Sequence, residues 1–202
     1  MPAERVQSHY FSVSPETPSE RRTVTLRLRD LEAELVTDRG VFSFGRIDPG
    51  TGFLLERAPP PPAEGDLLDL GCGYGAIAVA LARRAPRARV WAVDVNERAR
   101  ELARLNTSAL GNVSVAAPDE VPRDVGFAAI YSNPPIRVGK EELHTLLLGW
   151  LARLAPEGAA YLVVQRNLGA DSLQAWLRSR DWRCKRLGSR RGYRLFQVSA
   201  DA

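Results

Sequence analysis

Leu67-Leu68-Asp69-Leu70-Gly71-Cys72-Gly73-Tyr74-Gly75 decides how this 202-residue chain is read. Residues 67–70 are a short apolar run suited to a strand buried on both faces. Glycines then take alternate positions, 71, 73 and 75, and the apolar, alanine-rich run 76–82 continues as a helix. A strand that turns through glycines into a helix presents bare backbone and a helix N-terminus to a ligand. The spacing Gly-x-Gly-x-Gly is shorter than the dinucleotide fingerprint Gly-x-Gly-x-x-Gly and is less suited to wrapping a pyrophosphate.

Downstream, strand and helix patterns alternate. Strands are predicted at 89–94, 112–116, 127–132 and 159–164, and helices at 96–110, 141–154 and 171–178. The helix at 96–110 sets Ala99, Leu102, Ala103 and Leu110 on one face. Ala155-Pro-Glu-Gly158 should end the helix before it. Residues 182–187 and 193–198 read as an antiparallel hairpin. The predicted fold is α/β: a doubly wound, mainly parallel seven-stranded sheet with right-handed crossovers.

Upstream, residues 23–29 and 31–36 alternate as a β-hairpin with one wet face, and 41–44 read as a further strand. Together they form a small N-terminal antiparallel β extension. Asp48-Pro49-Gly50-Thr51-Gly52 opens a helix. Ala58-Pro-Pro-Pro-Pro-Ala63 is stiff and extended, a spacer. The expected organisation is a tail and β extension over 1–57, a linker at 58–65 and a core at 66–202. Residues 1–20 are polar and contain three prolines, so they read as a mobile tail in which His9-Tyr10-Phe11-Ser12 docks.

No apolar run is long enough for a membrane span, and the N-terminus lacks a signal-peptide core, so a soluble cytoplasmic protein is expected. Cys72 and Cys184 are the only cysteines; they read as reduced thiols without zinc-site spacing. The net charge is +4, with 28 Lys and Arg against 24 Asp and Glu, a weak pull towards nucleic acid. Oligomeric state leaves no signal in the pattern.

Ligands of such sheets bind at the carboxyl ends of the strands, which puts Gly71, Asp94, Asp119 and Asn133 along one edge. Asp94, 19 residues after Gly75, can accept from both ribose hydroxyls, with Val95 beside it. Asn133-Pro134-Pro135-Ile136 is a rigid turn after a buried strand, because proline fixes its own φ and restricts the residue before it. The Asn133 side-chain oxygen and the Pro134 carbonyl are thereby candidate preset acceptors. An exocyclic aromatic amine is a poor nucleophile; two acceptors gripping its N–H groups favour a tetrahedral nitrogen and stabilise the charge that develops on attack.

Asp69 with the three glycines resembles motif I of class I S-adenosylmethionine (AdoMet) methyltransferases, and the Asn-Pro-Pro turn resembles that of their amino-group branch. The resemblance implies that the loop 71–75, Cys72 included, passes beneath the methionine part of AdoMet. It also implies that Asp69 holds the amino-acid end and that Asp119, with Glu120 as competitor, meets the adenine. With a sulfonium leaving group, no metal or nucleophilic side chain is required. Asn133 to Lys140, with Gln165 and Gly192-Tyr193-Arg194, further resembles the small-methyltransferase group. That group is related to the catalytic half of bacterial ribosomal small-subunit RNA guanine-N2 methyltransferases. In it, the segment from Gly40 through Thr51 lies over the cofactor, making Thr51 an AdoMet contact. Ile136 stands where adenine-N6 and protein-glutamine enzymes favour an aromatic, and Ala128 where relatives usually have Asp.

The expected function is therefore AdoMet-dependent methylation of the exocyclic N2 of guanine in ribosomal RNA. Asn133 and Pro134 would be catalytic, and Pro135, Ile136, Arg137 and Lys140 would contact the RNA, the two cations through phosphates. Seven cations between Arg180 and Arg194 add a basic region. Three alternatives are a methyltransferase acting on adenine N6, protein glutamine or a small amine; an NAD oxidoreductase, disfavoured by the glycine spacing; and a non-catalytic RNA-binding relative.

Overall fold

The computed structural model describes residues 17–200, the side chain of Arg137 excepted, so His9-Tyr10-Phe11-Ser12 lies outside the described residues. Strands β1 (Arg21–Arg27) and β2 (Glu32–Asp38) pair antiparallel as a separate two-stranded sheet. Helix α1 (Pro49–Arg57) follows. Then β3 (Asp66–Leu70), α2 (Ala76–Arg84), β4 (Arg89–Val93), α3 (Glu97–Thr107), β5 (Val113–Ala116), β6 (Phe127–Ser132), α4 (Lys140–Leu151) and β7 (Leu154–Gln165) alternate. Helix α5 (Ala170–Arg178) and the hairpin β8 (Trp182–Arg190) and β9 (Tyr193–Ala200) close the chain. The main sheet has seven strands in the order β5-β4-β3-β6-β7-β9-β8, the first five parallel and β9 and β8 antiparallel. It is the doubly wound α/β sheet, with a small N-terminal β piece, that the pattern predicts.

Alternation along the strands sorts the core into two layers. Leu67, Val90, Ala92, Ala129 and Tyr131 face α1, α2 and α3, whereas Leu68, Leu70, Trp91, Val93 and Ile130 face α4 and α5. Each fully buried leucine stabilises the fold by about 1.5–3 kcal/mol. Helix α2 is buried along all of 76–82. Its alanines allow close approach to the sheet, and a Cβ on Gly75 would already meet Ala103 Cα at 3.3 Å. The β1–β2 hairpin is fastened to the core by Asn106, whose Oδ1 accepts from Val36 N–H at 2.8 Å while its Nδ2 donates to the carbonyls of Val36 (2.9 Å) and Tyr74 (2.8 Å). The side chain thus pairs with the strand as another strand would.

Two expectations fail. Residues 41–44 form turns, not a strand, because Gly40, Ser43 and Gly45 all have positive φ (87°, 61° and 70°). The result is a loop that holds Phe42 over the sheet edge. Strand β7 begins at Leu154, running through Pro156, where a loop was expected. A bulge at Ala128 shifts the β6–β7 register between Phe127–Leu154 and Ala129–Ala159. The chain passes so closely there that a Cβ on Gly158 would lie 2.8 Å from the Phe127 carbonyl.

Strand β8 is the outer edge of the sheet. Its Cys184 carbonyl accepts three side-chain donors from α5: Gln174 Nε2 (3.2 Å), Arg178 Nε (3.2 Å) and Arg178 Nη2 (2.8 Å).

Candidate active site

The chain leaves β3 for β4 on one side and later returns to β6 on the other, so the carboxyl ends of β3 and β6 flank the switch point. The glycine bend lies there. Gly71, Gly73 and Gly75 have φ of 72°, 54° and 87°, the left-handed region that side chains disfavour, which is why the glycines alternate. The bend is fixed by backbone: Gly71 N–H and Cys72 N–H both donate to the Val93 carbonyl (2.8 and 3.0 Å), and Gly73 N–H donates to Asp94 Oδ2 (2.9 Å). Asp94 Oδ1 accepts from Asn96 N–H at 2.9 Å. Burial raises the Asp94 carboxyl above its usual range, opposed by these two N–H groups. Asp94 thus clamps the bend, with lone pairs on each oxygen left over.

Asp69 takes a different place from the one expected. It is 0% exposed and faces α2, where its Oδ2 accepts from Ala78 N–H at 2.9 Å; Oδ1 has no hydrogen-bond partner among the described residues. Burial pushes its carboxyl up to about 8. Strand alternation turns it beneath the bend, so it braces the α2 N-terminus and does not line the pocket. Cys72 does line the pocket, as a buried thiol whose pKa burial raises well above its usual value, which keeps it protonated and unreactive.

At the end of β6 the Asn-Pro-Pro corner is fixed by side chains. Ser132 Oγ donates to the Leu70 carbonyl at 2.7 Å, joining β6 to β3. Asn133 Nδ2 donates to Asp48 Oδ2 at 2.8 Å and to Thr51 Oγ1 at 3.2 Å. Asp48 is the N-cap of α1: the same Oδ2 accepts from Thr51 N–H at 2.9 Å, while Oδ1 accepts from the Tyr193 hydroxyl at 3.3 Å. A carboxylate only accepts, so Asn133 must show it the amide nitrogen, which leaves Asn133 Oδ1 uncommitted. Gly50 has no side chain because the Tyr193 ring passes there; a Cβ would lie 2.5 Å from Tyr193 Cε1. Pro135 has φ −74° and ψ 75°, an inverse γ-turn in which Ile136 N–H donates to the Pro134 carbonyl at 2.9 Å. The Pro134 carbonyl, expected as the second preset acceptor, thus has one of its two lone pairs already engaged.

Bend and corner share one pocket, lined by Phe42, Asp48, Thr51, Gly71, Cys72, Gly73, Tyr74, Ala76, Ile77 and Asn133. The residues expected from 40–51 come to it from across the sequence. Asp119 is exposed in a short turn after β5, and Glu120, its competitor, is tied back onto Ala117 N–H at 2.6 Å. Val95 is exposed beside Asp94, and Lys140 is exposed at the start of α4. Pro134 is buried, while Pro135 and Ile136 are half-buried; the Arg137 side chain lies outside the described residues. Asp48 and Tyr193 are the contributors that sequence reasoning missed. Asp48 read as a helix opening within the segment resembling the one over the cofactor, with Thr51 as its named contact, and Tyr193 only as part of a shared Gly-Tyr-Arg run.

The family model for the methyltransferase small domain matches residues 32–197. The chain belongs to the small-methyltransferase family. As a member it is an AdoMet-dependent methyltransferase with the Rossmann-like fold described above. It is 36% identical over 172 residues to protein YbxB of Bacillus subtilis, covering 83% of this chain and 86% of that one. It is 35% identical over 215 residues to ribosomal RNA small subunit methyltransferase C of Pseudomonas aeruginosa strain LESB58, covering 96% of this chain but only 59% of the relative. Among solved structures it is similar to the T. thermophilus 16S rRNA N2 methyltransferase in complex with AdoMet and guanosine, with a TM-score of 0.75 and 26% identity. That match covers 93% of this chain and 52% of the other. The pocket of this family member suits AdoMet: a Cβ on Gly71 would meet nothing within 4 Å and one on Gly73 only Val41 Cγ1 at 3.9 Å, so both glycines open onto space a ligand can enter. Among the described residues no helix is long and apolar enough to cross a membrane.

Proposed function

We propose that this methyltransferase acts on the exocyclic N2 of guanine in ribosomal RNA, in the cytoplasm. One observation carries the reading: Asn133 is gripped from behind by Asp48 and Thr51, so its amide oxygen stays free beside the glycine bend. The names of the ribosomal relatives, which this chain matches over about three fifths of their length, support the choice of substrate.

When bound, AdoMet would supply an electrophilic methyl on a sulfonium. Gly71, Gly73, Cys72, Thr51 and Asp94 are the residues we assign to hold it, with Asp119 at the adenine end. Asn133 Oδ1 accepts an N–H of the target amine and draws its lone pair out of the ring; the remaining lone pair of the Pro134 carbonyl is available for the second N–H. As positive charge grows on that nitrogen, both acceptors gain strength, and the barrier falls. Asp48 is a positioning residue in this scheme. It fixes the Asn133 amide the right way round, and its negative charge polarises the amide so that Oδ1 accepts more strongly. Pro135, Ile136, Arg137 and Lys140 are assigned to the RNA around the target.

Nucleoside mass spectrometry of ribosomal RNA from a strain lacking the protein tests the assignment. Loss of one N2-methylguanosine, restored by methylating that RNA with purified protein, is expected. An unchanged nucleoside profile, with no transfer to undermethylated RNA in vitro, would remove guanine N2 as the target.

A further inference from the structure

The charge of the chain is concentrated in one segment. Residues 174–194 contain eight of the 28 Lys and Arg and one of the 24 Asp and Glu; the remainder carries 20 cations and 23 acids. The segment is thus net +7 on a molecule otherwise slightly acidic. It comprises most of α5, β8 and the turn into β9. A groove of about 760 Å³ opens between α5 and β8, lined by Gln174, Arg178, Trp182, Arg183, Lys185 and Arg186 over the Cys184 backbone. Arg190 pairs with Glu56 and Arg194 with Asp171. Lys185 and Arg186 are exposed, and among the described residues neither has a carboxylate partner.

We propose that the α5–β8 groove binds the sugar-phosphate backbone of the RNA substrate at a distance from the target base. The proposal rests on the RNA reading given above. Lys185 and Arg186, which have no carboxylate partner among the described residues, sit in this groove on one sheet edge and would release counterions when a polyanion binds. Trp182, half-buried at the groove, adds an aromatic surface on which a base can stack. The groove is connected to the active site by the strand itself. Strand β8 runs from the groove to Arg190, which pairs with Tyr193, and Tyr193 touches Asp48. From Cys184 to Arg190 is six residues, about 20 Å at the rise of a strand. A stacked RNA strand covers that distance in about six nucleotides. RNA that reaches well beyond the target should feel the groove, and RNA that does not should be blind to it.

The test is the double variant Lys185→Gln/Arg186→Gln, titrated with AdoMet, with a 20-nucleotide RNA centred on the methylated guanine, with a five-nucleotide RNA centred on the same base, and with polyglutamate of charge matched to the long RNA. The expected result is at least a tenfold loss of affinity for the long RNA. The slope of log affinity against log salt should flatten by about 1.4, the value for two single-strand phosphate contacts. Affinity for AdoMet and turnover on the short RNA should be unchanged, which also shows that the variant is folded. Unchanged binding of the long RNA would overturn the proposal, as would equal losses on long and short RNA. A loss confined to polyglutamate of matched charge would assign the groove to an acidic protein segment instead. If the wild-type protein neither binds nor methylates RNA, the substrate assignment has failed; if it methylates RNA and the double variant behaves identically, only the groove has failed.

Discussion

Two turns at the carboxyl ends of neighbouring strands make the candidate active site, and they are held in opposite ways. The bend after β3 takes its shape from three missing side chains and is anchored mainly by main-chain bonds to Val93, with one bond to a carboxylate. The corner after β6 takes its shape from two prolines and is anchored by side chains from α1, an element that precedes the whole parallel sheet in sequence. A backbone-anchored turn fails through strain. A side-chain-anchored turn can lose its chemistry and keep its shape. The first is suited to holding a cofactor, the second to aiming one atom.

Substitutions should separate these two behaviours. Gly75→Leu should have the largest effect, since it puts a side chain at φ 87° and against Ala103. It should abolish AdoMet binding by calorimetry and cost roughly 1–3 kcal/mol in stability from backbone strain alone. Asp69→Asn probes the bracing under the bend through pH. The wild-type carboxyl titrates at about 8 when folded and near its usual value of 3.8 when unfolded. The unfolded chain therefore releases its proton first, and wild-type stability should fall relative to the variant as pH rises from 4 to 8, by at most about 1.4 kcal/mol per pH unit, then level off. Urea unfolding of both proteins across that range measures it; a flat difference would mean that Asp69 is ionised in the fold.

At the corner, Asn133→Ala should leave AdoMet affinity nearly unchanged and lower turnover at least ~10²-fold, the scale for losing one preset group. Equal turnover would remove Asn133 from the mechanism. Asp48→Asn should have the smallest effect. Its amide oxygen can still cap α1, so thermal stability should hold within a few tenths of a kcal/mol. The lost charge should lower turnover about tenfold, the difference between a charge-assisted and a neutral hydrogen bond. A drop in KM-determined affinity with turnover preserved would assign Asp48 to binding, not to orienting Asn133.

The sheet could be read from sequence because doubly buried strands leave apolar runs and each crossover helix leaves its own period. The glycine bend was readable for a stronger reason, since all three glycines are required by positive φ. What escaped was set by tertiary contact. Residues 41–44 have a strand's composition, but Ser43 and the glycines around it turn the chain. The early start of β7 through Pro156 depends on a bulge at Ala128 in another strand. Ala128 itself lies at that bulge, five residues before Asn133 and at the other end of β6, so its departure from the family pattern falls on packing. Asp48 was hidden by being right for two tasks at once. Its spacing to Thr51 explains a helix cap completely, and only the fold shows that the same carboxylate also receives Asn133 and Tyr193.

Among the described residues, strand β8 leaves one edge of the sheet without a neighbouring strand. An uncovered rim normally invites a second copy to zip on, which is how soluble sheets begin to aggregate. Here Gln174 and Arg178 already occupy the Cys184 carbonyl, and Arg183, Lys185 and Arg186 repel their counterparts on any identical neighbour. If the cations proposed to hold a polyanion also repel an identical rim, then self-association and RNA affinity should change together when Lys185 and Arg186 are altered.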